Sequence, residues 1–306
     1  MIAKTLKLAL ILSTLGSVMA QEAPDFSQIG NELIYGKDNR TEPYLYHDVR
    51  FQKASLSVAG MVSANKLIEL DSKTYTYRKT PAVEAFSFCP NERFGEQNVL
   101  PNCTGFLVGP NKLVTAGHCI ESEFDCSNYK WVFSYTNLHE TIAKEDVYSC
   151  KRIINRDLKG SYYKIRDYAV IELDREVKGR EPLKFRTEGR PFVGTKLVII
   201  GHPMGLPQKI ADGATVKIAN WKELLTPFRT IIRKSHYFTA NLDSYAGNSG
   251  SPVFNQKTGE VEGILIQGAE DFKLDPDQFC QRSVERSNSG LVSEEKVYRI
   301  NKVPGL

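Results

Sequence analysis

A serine between two glycines, in Gly247-Asn248-Ser249-Gly250-Ser251-Pro252, is the most chemically suggestive feature of this 306-residue chain. A turn of that composition can aim the serine hydroxyl outward and bring the N–H groups of Gly247 and Ser249 to one point. Such a pair is an oxyanion hole, and losing one donor typically raises the barrier by about 2.7–4 kcal/mol. Gly, Ser and Asn also build ordinary turns between strands. A G-x-S-x-G run marks α/β-hydrolases too, but here no strand–helix alternation surrounds it and the candidate base lies upstream. Ser251 is the rival nucleophile, although Pro252 confines it to extended backbone.

A serine nucleophile needs a base within hydrogen-bond reach. The histidines are at 47, 118, 139, 202 and 236, and His118 stands in Thr115-Ala116-Gly117-His118-Cys119, directly after the apolar Leu113-Val114. Cys103 opens the preceding apolar run. A Cys103–Cys119 bridge would fix that hairpin beside the imidazole, with a loop closure worth about 3 kcal/mol. The imidazole in turn needs an acid to hold its tautomer. Asp167 heads the apolar run Asp167-Tyr168-Ala169-Val170-Ile171, where a partly buried carboxylate would require hydrogen bonds. The plain alternatives are a structural histidine beside a disulfide and a strand-end turn aspartate. Glu172 and Asp174 are other acids, and Asp174 is expected to face solvent. His202, in the tight loop Gly201-His202-Pro203-Met204-Gly205-Leu206-Pro207, is read as structural.

The elements that must position these residues are strands. Ala54 to Val62 reads as the first core strand, and residues 71–102, with Pro81, Pro90 and Pro101, as a long insertion. Short apolar runs follow: Gly105–Val108, a Gly109-Pro110-Asn111-Lys112 turn, Leu113–Thr115, Tyr168–Leu173, Lys196–Ile200, Ala214–Ile218 and Val261–Ile266. They are strand-sized and β-branched, with no long helical period among them. The pattern predicts an antiparallel all-β domain of two packed barrels.

At the N-terminus, Lys4 and Lys7 precede a mostly apolar Leu8–Val18, and Val18-Met19-Ala20 offers a small-residue cleavage site. This predicts a signal peptide over 1–20, since the apolar run is too short to span a bilayer. Residues 21–33 read as a short propeptide or arm, and 34–306 as the folded domain. The formal charge of +4 is scattered and gives no basic block for nucleic acid or an anionic membrane. Six cysteines in an exported chain favour disulfides, and the absence of a C-x-x-C pair argues against structural zinc. Cys126–Cys150 is the first pairing expected among Cys89, Cys126, Cys150 and Cys280, because it closes the shorter loop. No metal or cofactor is expected: there is no Walker loop, no dinucleotide fingerprint and no H-E-x-x-H.

Taken together, Thr-Ala-Gly-His-Cys, Asp-Tyr-Ala-Val and Gly-Asn-Ser-Gly-Ser-Pro, in that order, resemble the trypsin/chymotrypsin superfamily. Within it, they resemble the bacterial trypsin-like and glutamyl endopeptidase (V8-like) branch. The resemblance runs from about residue 33 to the C-terminus and implies a double six-stranded antiparallel β-barrel. It implies a secreted serine endopeptidase, extracellular or periplasmic, with a His118–Asp167–Ser249 triad and an acyl-enzyme on Ser249. The Cys103/Cys119 spacing matches a bridge usual in trypsin-like enzymes. Ile34-Tyr35-Gly36-Lys37-Asp38-Asn39-Arg40 resembles the start of mature enzymes of this branch, which implies a zymogen cut before it. Asn248 stands where animal trypsins carry aspartate, so their activation switch is not implied. Asp243, six residues before Ser249, stands where trypsins carry the acid that binds Lys or Arg. With Ser244, Leu265 and Gly268 it forms the expected specificity pocket, and a basic P1 residue is expected ahead of glutamate or an apolar one. Leu265 stands where glutamyl endopeptidases carry histidine. Partners are expected to be protein or peptide substrates, with no nucleic acid, no membrane after signal removal, and a monomeric state. The competing expectation is a catalytically inactive relative used for binding or adhesion; such proteins usually lack a triad member, and none is missing here.

Overall fold

The apolar runs become strands that close into two barrels. A computed structural model describes residues 34–160, 165–217, 235–268, 271–287 and 295–306. The expected signal peptide and propeptide lie outside the described residues, as does Ile218 at the end of one expected strand. The first barrel consists of β1 (Val58–Ser63), β2 (Cys103–Leu107), β3 (Lys112–Thr115), β4 (Tyr129–Phe133), β5 (Val147–Lys159) and β6 (Arg166–Leu173). The second consists of β7 (Lys196–Gly201), β8 (Lys209–Lys217), β9 (Tyr237–Ala240), β10 (Pro252–Asn255), β11 (Val261–Gln267) and β12 (Glu295–Arg299). Around the first barrel the strands run β6-β3-β2-β1-β4-β5, and around the second β7-β8-β9-β12-β11-β10. Counted from the first strand of each, the cyclic order is the same. One topology is used twice, and closure leaves neither sheet with an open edge.

Both faces of β7 are covered, which explains its unbroken apolar run. Leu197 and Ile199 belong to the core of the second barrel, with Val253, Leu265 and Val297. Val198 and Ile200 instead join the larger cluster that fills the first barrel and reaches Phe254, Ile264 and Tyr298. The barrels therefore share one apolar seam. Cys103–Cys119, Cys126–Cys150 and Cys89–Cys280 are bonded. The first expected strand begins late: Val49–Ser55 is helical (α1), and β1 starts at Val58. Asp48 caps that helix by accepting the Arg50 N–H at 3.0 Å, a local bond that outweighs the strand-like composition of residues 54–57.

The 71–102 segment is partly ordered as secondary structure. Thr74–Thr76 lies between Ile68–Glu69 and Ile142–Ala143 in a small sheet, and Ala82–Ala85 forms a single helical turn. The segment ends against the second barrel's loops, where the Leu100 N–H donates to Gly205 O at 2.8 Å.

Trp131 is fully buried in the first barrel, where its ring and Leu113 close over Gly105. Trp131→Ala should lower stability by about 3–5 kcal/mol. The check is a urea melt, read as a lower midpoint with an unchanged slope.

Candidate active site

His118 leaves the end of β3 through Gly117, and the strand partner decides why a glycine is needed. A Cβ on Gly117 would lie 2.6 Å from Asp157 O and 2.9 Å from both Tyr168 N and Tyr168 O. Those atoms belong to the paired strands β5 and β6, whose backbone lies against the turn. Asp167 immediately precedes Tyr168, so this close approach delivers its carboxylate to His118. Asp167 Oδ1 accepts the His118 backbone N–H at 3.0 Å, and Oδ2 lies 2.7 Å from His118 Nδ1. Next to a carboxylate acceptor, Nδ1 carries the ring proton and Nε2 keeps its lone pair. Nε2 is buried and has no hydrogen-bond partner among the described residues. The Cys103–Cys119 bridge lies directly against this ring.

The serine loop, residues 241–251, joins β9 to β10. Gly250 has φ +86°, and a Cβ there would fall 2.0 Å from Thr104 O and 2.3 Å from Thr115 Oγ1. The loop is thus seated on the strands that lead to His118. Thr104 fastens it: its N–H donates to Ser249 O at 2.8 Å and its hydroxyl to Gly247 O at 2.9 Å. Ser249 O also lies 3.7 Å from Cys119 Sγ. Sequence reasoning missed Thr104, because its full burial on β2 arises only in the folded barrel and nothing in Cys103-Thr104-Gly105 announces it.

One peptide unit sets the direction of a donor. Ala246 O accepts the Met204 N–H, and a trans planar peptide points its carbonyl and its N–H in opposite directions. The Gly247 N–H is therefore turned away from the 202–206 loop. Among the described residues neither it nor the Ser249 N–H donates to a protein acceptor. His202 props that loop: it is fully buried, sits 3.1 Å from Leu206 O through Nδ1, and is pushed down to about 4 by burial. It is neutral and structural at ordinary pH. Ser251 is fully buried against Gly201, its hydroxyl donating to Asn248 Oδ1 at 3.4 Å.

The expected pocket residues are spread over this neighbourhood. Leu265 is bonded to the serine loop through its backbone, accepting the Gly250 N–H at 2.8 Å and donating to Ser251 O at 3.0 Å, while its side chain lies in the second barrel's core. Ser244 is fully buried and Gly268 is half-buried. Asp243 is buried, and its two oxygens accept the backbone N–H groups of Tyr35 (2.8 Å) and Asn39 (3.0 Å). The sequence did not foresee that partnership, because it joins positions about 200 residues apart. Two further charged residues were missed. Asp271 accepts the Ala246 N–H at 3.1 Å, and burial pushes its carboxyl well above the ordinary range. Buried Arg40 pairs with Asp38 at 2.7 Å and lies 4.4 Å over the Tyr245 ring.

A family profile described as a trypsin-like peptidase domain matches residues 103–264, which include all three expected catalytic positions. The chain belongs to this family. It is 26% identical over 167 residues to a glutamyl endopeptidase of Bacillus licheniformis, an overlap covering 52% of this chain and 47% of that protein. It is also 26% identical over 183 residues to snake venom serine protease 1 of Craspedocephalus gramineus, covering 55% of this chain and 67% of the relative. The chain thus spans about half the length of the glutamyl endopeptidase it matches. The Vibrio cholerae VesB protease structure superposes with a TM-score of 0.50 at 15% identity, covering 88% of this chain and 65% of that one, and shares the fold.

Burial pushes Asp243 up to about 6, against hydrogen bonds from Tyr35 and Asn39 that pull it down. A carboxyl that binds its proton more tightly in the folded chain supports folding at low pH. That support is lost as pH rises through about 6. Asp243→Asn removes the titration and keeps an acceptor oxygen. Its stability relative to wild type should therefore improve between pH 4 and pH 7, by on the order of 2–3 kcal/mol. Paired urea melts across that range check it, and a pH-independent difference would overturn it.

Proposed function

We propose that this protein is an exported serine endopeptidase that cleaves peptide bonds through an acyl-enzyme on Ser249. The observation that carries this reading is the double hydrogen bond of Asp167 to His118, with the serine loop fastened to the same strands by Thr104. In this mechanism Ser249 Oγ attacks the substrate carbonyl carbon while His118 Nε2 takes its proton. The carbonyl oxygen gathers negative charge facing the Gly247 and Ser249 N–H groups. His118 then returns the proton to the departing amine, leaving an ester on Ser249. Water attacks the ester with His118 again as base, releasing the acid and the free serine. Asp167 stabilises the imidazolium throughout without itself being protonated.

For substrate choice, the reading favours Lys or Arg at P1. Asp243 is a buried acid within the serine loop, six residues before Ser249, and its carboxylate form would pair with a substrate cation. The protein would act on peptides or proteins as a monomer, in an oxidising compartment where its three disulfides persist. Removal of residues 1–20 on export and of 21–33 on maturation would leave a new start at Ile34. That segment pairs with Glu285–Arg286, and Tyr35 donates to Asp243, so maturation would act next to the pocket.

Ser249→Ala should abolish labelling by a fluorophosphonate probe, and Ser251→Ala should leave it largely intact; the reverse pattern would move the nucleophile. Asp167→Asn should reduce turnover by roughly 10⁴ through loss of the correct tautomer. A loss below about tenfold would assign the orienting role to another acid. Mass-spectrometric mapping of bonds cut in a random peptide mixture tests the P1 reading. Cuts after Lys and Arg support it, cuts after Glu or apolar residues retire it, and no cuts from folded, processed protein favour the inactive binding relative.

A further inference from the structure

The 71–102 insertion contributes none of the triad residues, yet three kinds of contact tie it to the serine loop or to the Phe272–Ser283 hairpin packed on that loop. One is covalent: Cys89 is bonded to Cys280, 191 residues away. Around that bond the Cys89 N–H donates to Gln281 O at 3.0 Å and the Gln281 N–H to Ser87 O at 2.8 Å. A second is a run of rings. Phe86 stacks on Phe88 at 5.3 Å, Phe88 meets Phe272 at 4.7 Å, and Phe272 stacks on Tyr245 at 5.2 Å. The third is a relay of hydroxyls: Tyr245 donates to Ser283 Oγ at 2.8 Å, and that hydroxyl donates to Glu92 at 2.7 Å. Glu92 also accepts the Ser283 N–H at 3.0 Å.

The ring run and the hydroxyl relay both end on Tyr245, and the disulfide ties the insertion to the Phe272–Ser283 hairpin that supplies Phe272 and Ser283 to them. The Tyr245 ring is held between Phe272 and the Arg40 guanidinium. Its carbonyl accepts the Asn248 N–H at 2.9 Å, one residue before Ser249. Tyr245 itself belongs to no strand, so neighbours rather than a ladder hold its place. The hydrogen bond from Asn248 joins the Tyr245 backbone to the turn that carries Gly247 and Ser249.

We propose that the insertion clamps the serine loop, and that Tyr245 is the positioning residue through which the clamp acts. The proposal rests on the reading of Ser249 as the nucleophile for its effect on rate, but not for its effect on loop motion. Amide hydrogen exchange on the full chain provides the activity-independent readout. Removing the bridge with C89S/C280S should speed exchange of the 245–250 amides by about tenfold or more, leaving β2 and β3 unchanged. Tyr245→Leu, with the bridge intact, should do the same. Tyr245→Phe keeps the stack and should stay within about threefold of wild type. Fluorophosphonate acylation should slow in parallel. The combined C89S/C280S/Y245L chain should be little slower than the slower of the two, because both changes release one strut. Unchanged exchange, or losses that simply add, would overturn the clamp. If the serine pair fails to fold, Tyr245→Leu against Tyr245→Phe carries the test alone. A wild-type chain that resists acylation while exchange responds as expected would overturn the peptidase reading and leave the clamp standing.

Discussion

Burying a carboxylate is costly unless hydrogen bonds meet its charge, and Asp167 meets that demand with a single residue. Its two oxygens are answered by the backbone and the ring of His118, so position and tautomer are fixed together. The arrangement requires the β3 turn to touch the backbone of β5 and β6, which only a glycine at 117 permits. Once that contact exists, Cys119 is placed to bridge Cys103, and Thr104 beside it is placed to hold the serine loop. The surrounding fold can be understood as the scaffold that keeps this approach from relaxing.

The scaffold is one strand order used twice, with the His118–Asp167 pair and the serine loop brought to the seam. The first barrel supplies His118 and Asp167, and the second supplies the serine loop. Neither barrel holds the full set. What joins them is an apolar cluster running from the first barrel to Phe254, Ile264 and Tyr298, together with the bonds from Thr104. Loops at strand ends can present polar groups without breaking a ladder, while the strands behind them remain rigid.

Behind the serine loop lies a set of buried charges that a barrel core would not by itself accept. Arg40 pairs with Asp38 inside the N-terminal segment, while Lys209 with Glu42, and Asp243 on two backbone N–H groups, link that segment to the second barrel and its serine loop. Burial pushes Lys209 down to about 8 and Asp243 up to about 6, so each is held at some cost to its charged form. Such pairs do little for net stability but much for register, because breaking one leaves a buried charge without its partner. The N-terminal segment is thereby held against the serine loop and the second barrel despite its distance in sequence.

Local chemistry made much of this legible beforehand. The run at β7 was readable because both of its faces are apolar, and His118, Asp167 and Ser249 stood out because each sits at the mouth of an apolar run. The order of those segments and the cysteine spacing pointed to the double barrel. The Val49–Ser55 helix was missed because a single cap at Asp48 decided it, and β5 was missed because a strand with mostly partly exposed residues carries no apolar alternation. By itself, then, the sequence determined most of the apolar strands, their turns and the three candidate residues, since these depend on neighbours along the chain. Only the tertiary structure decided that Asp243 is capped by Tyr35 and Asn39, that Cys89 meets Cys280, and that Tyr245 lies between Phe272 and Arg40. Those contacts join residues far apart in the chain, and no local spacing encodes which buried group will be close enough to satisfy another.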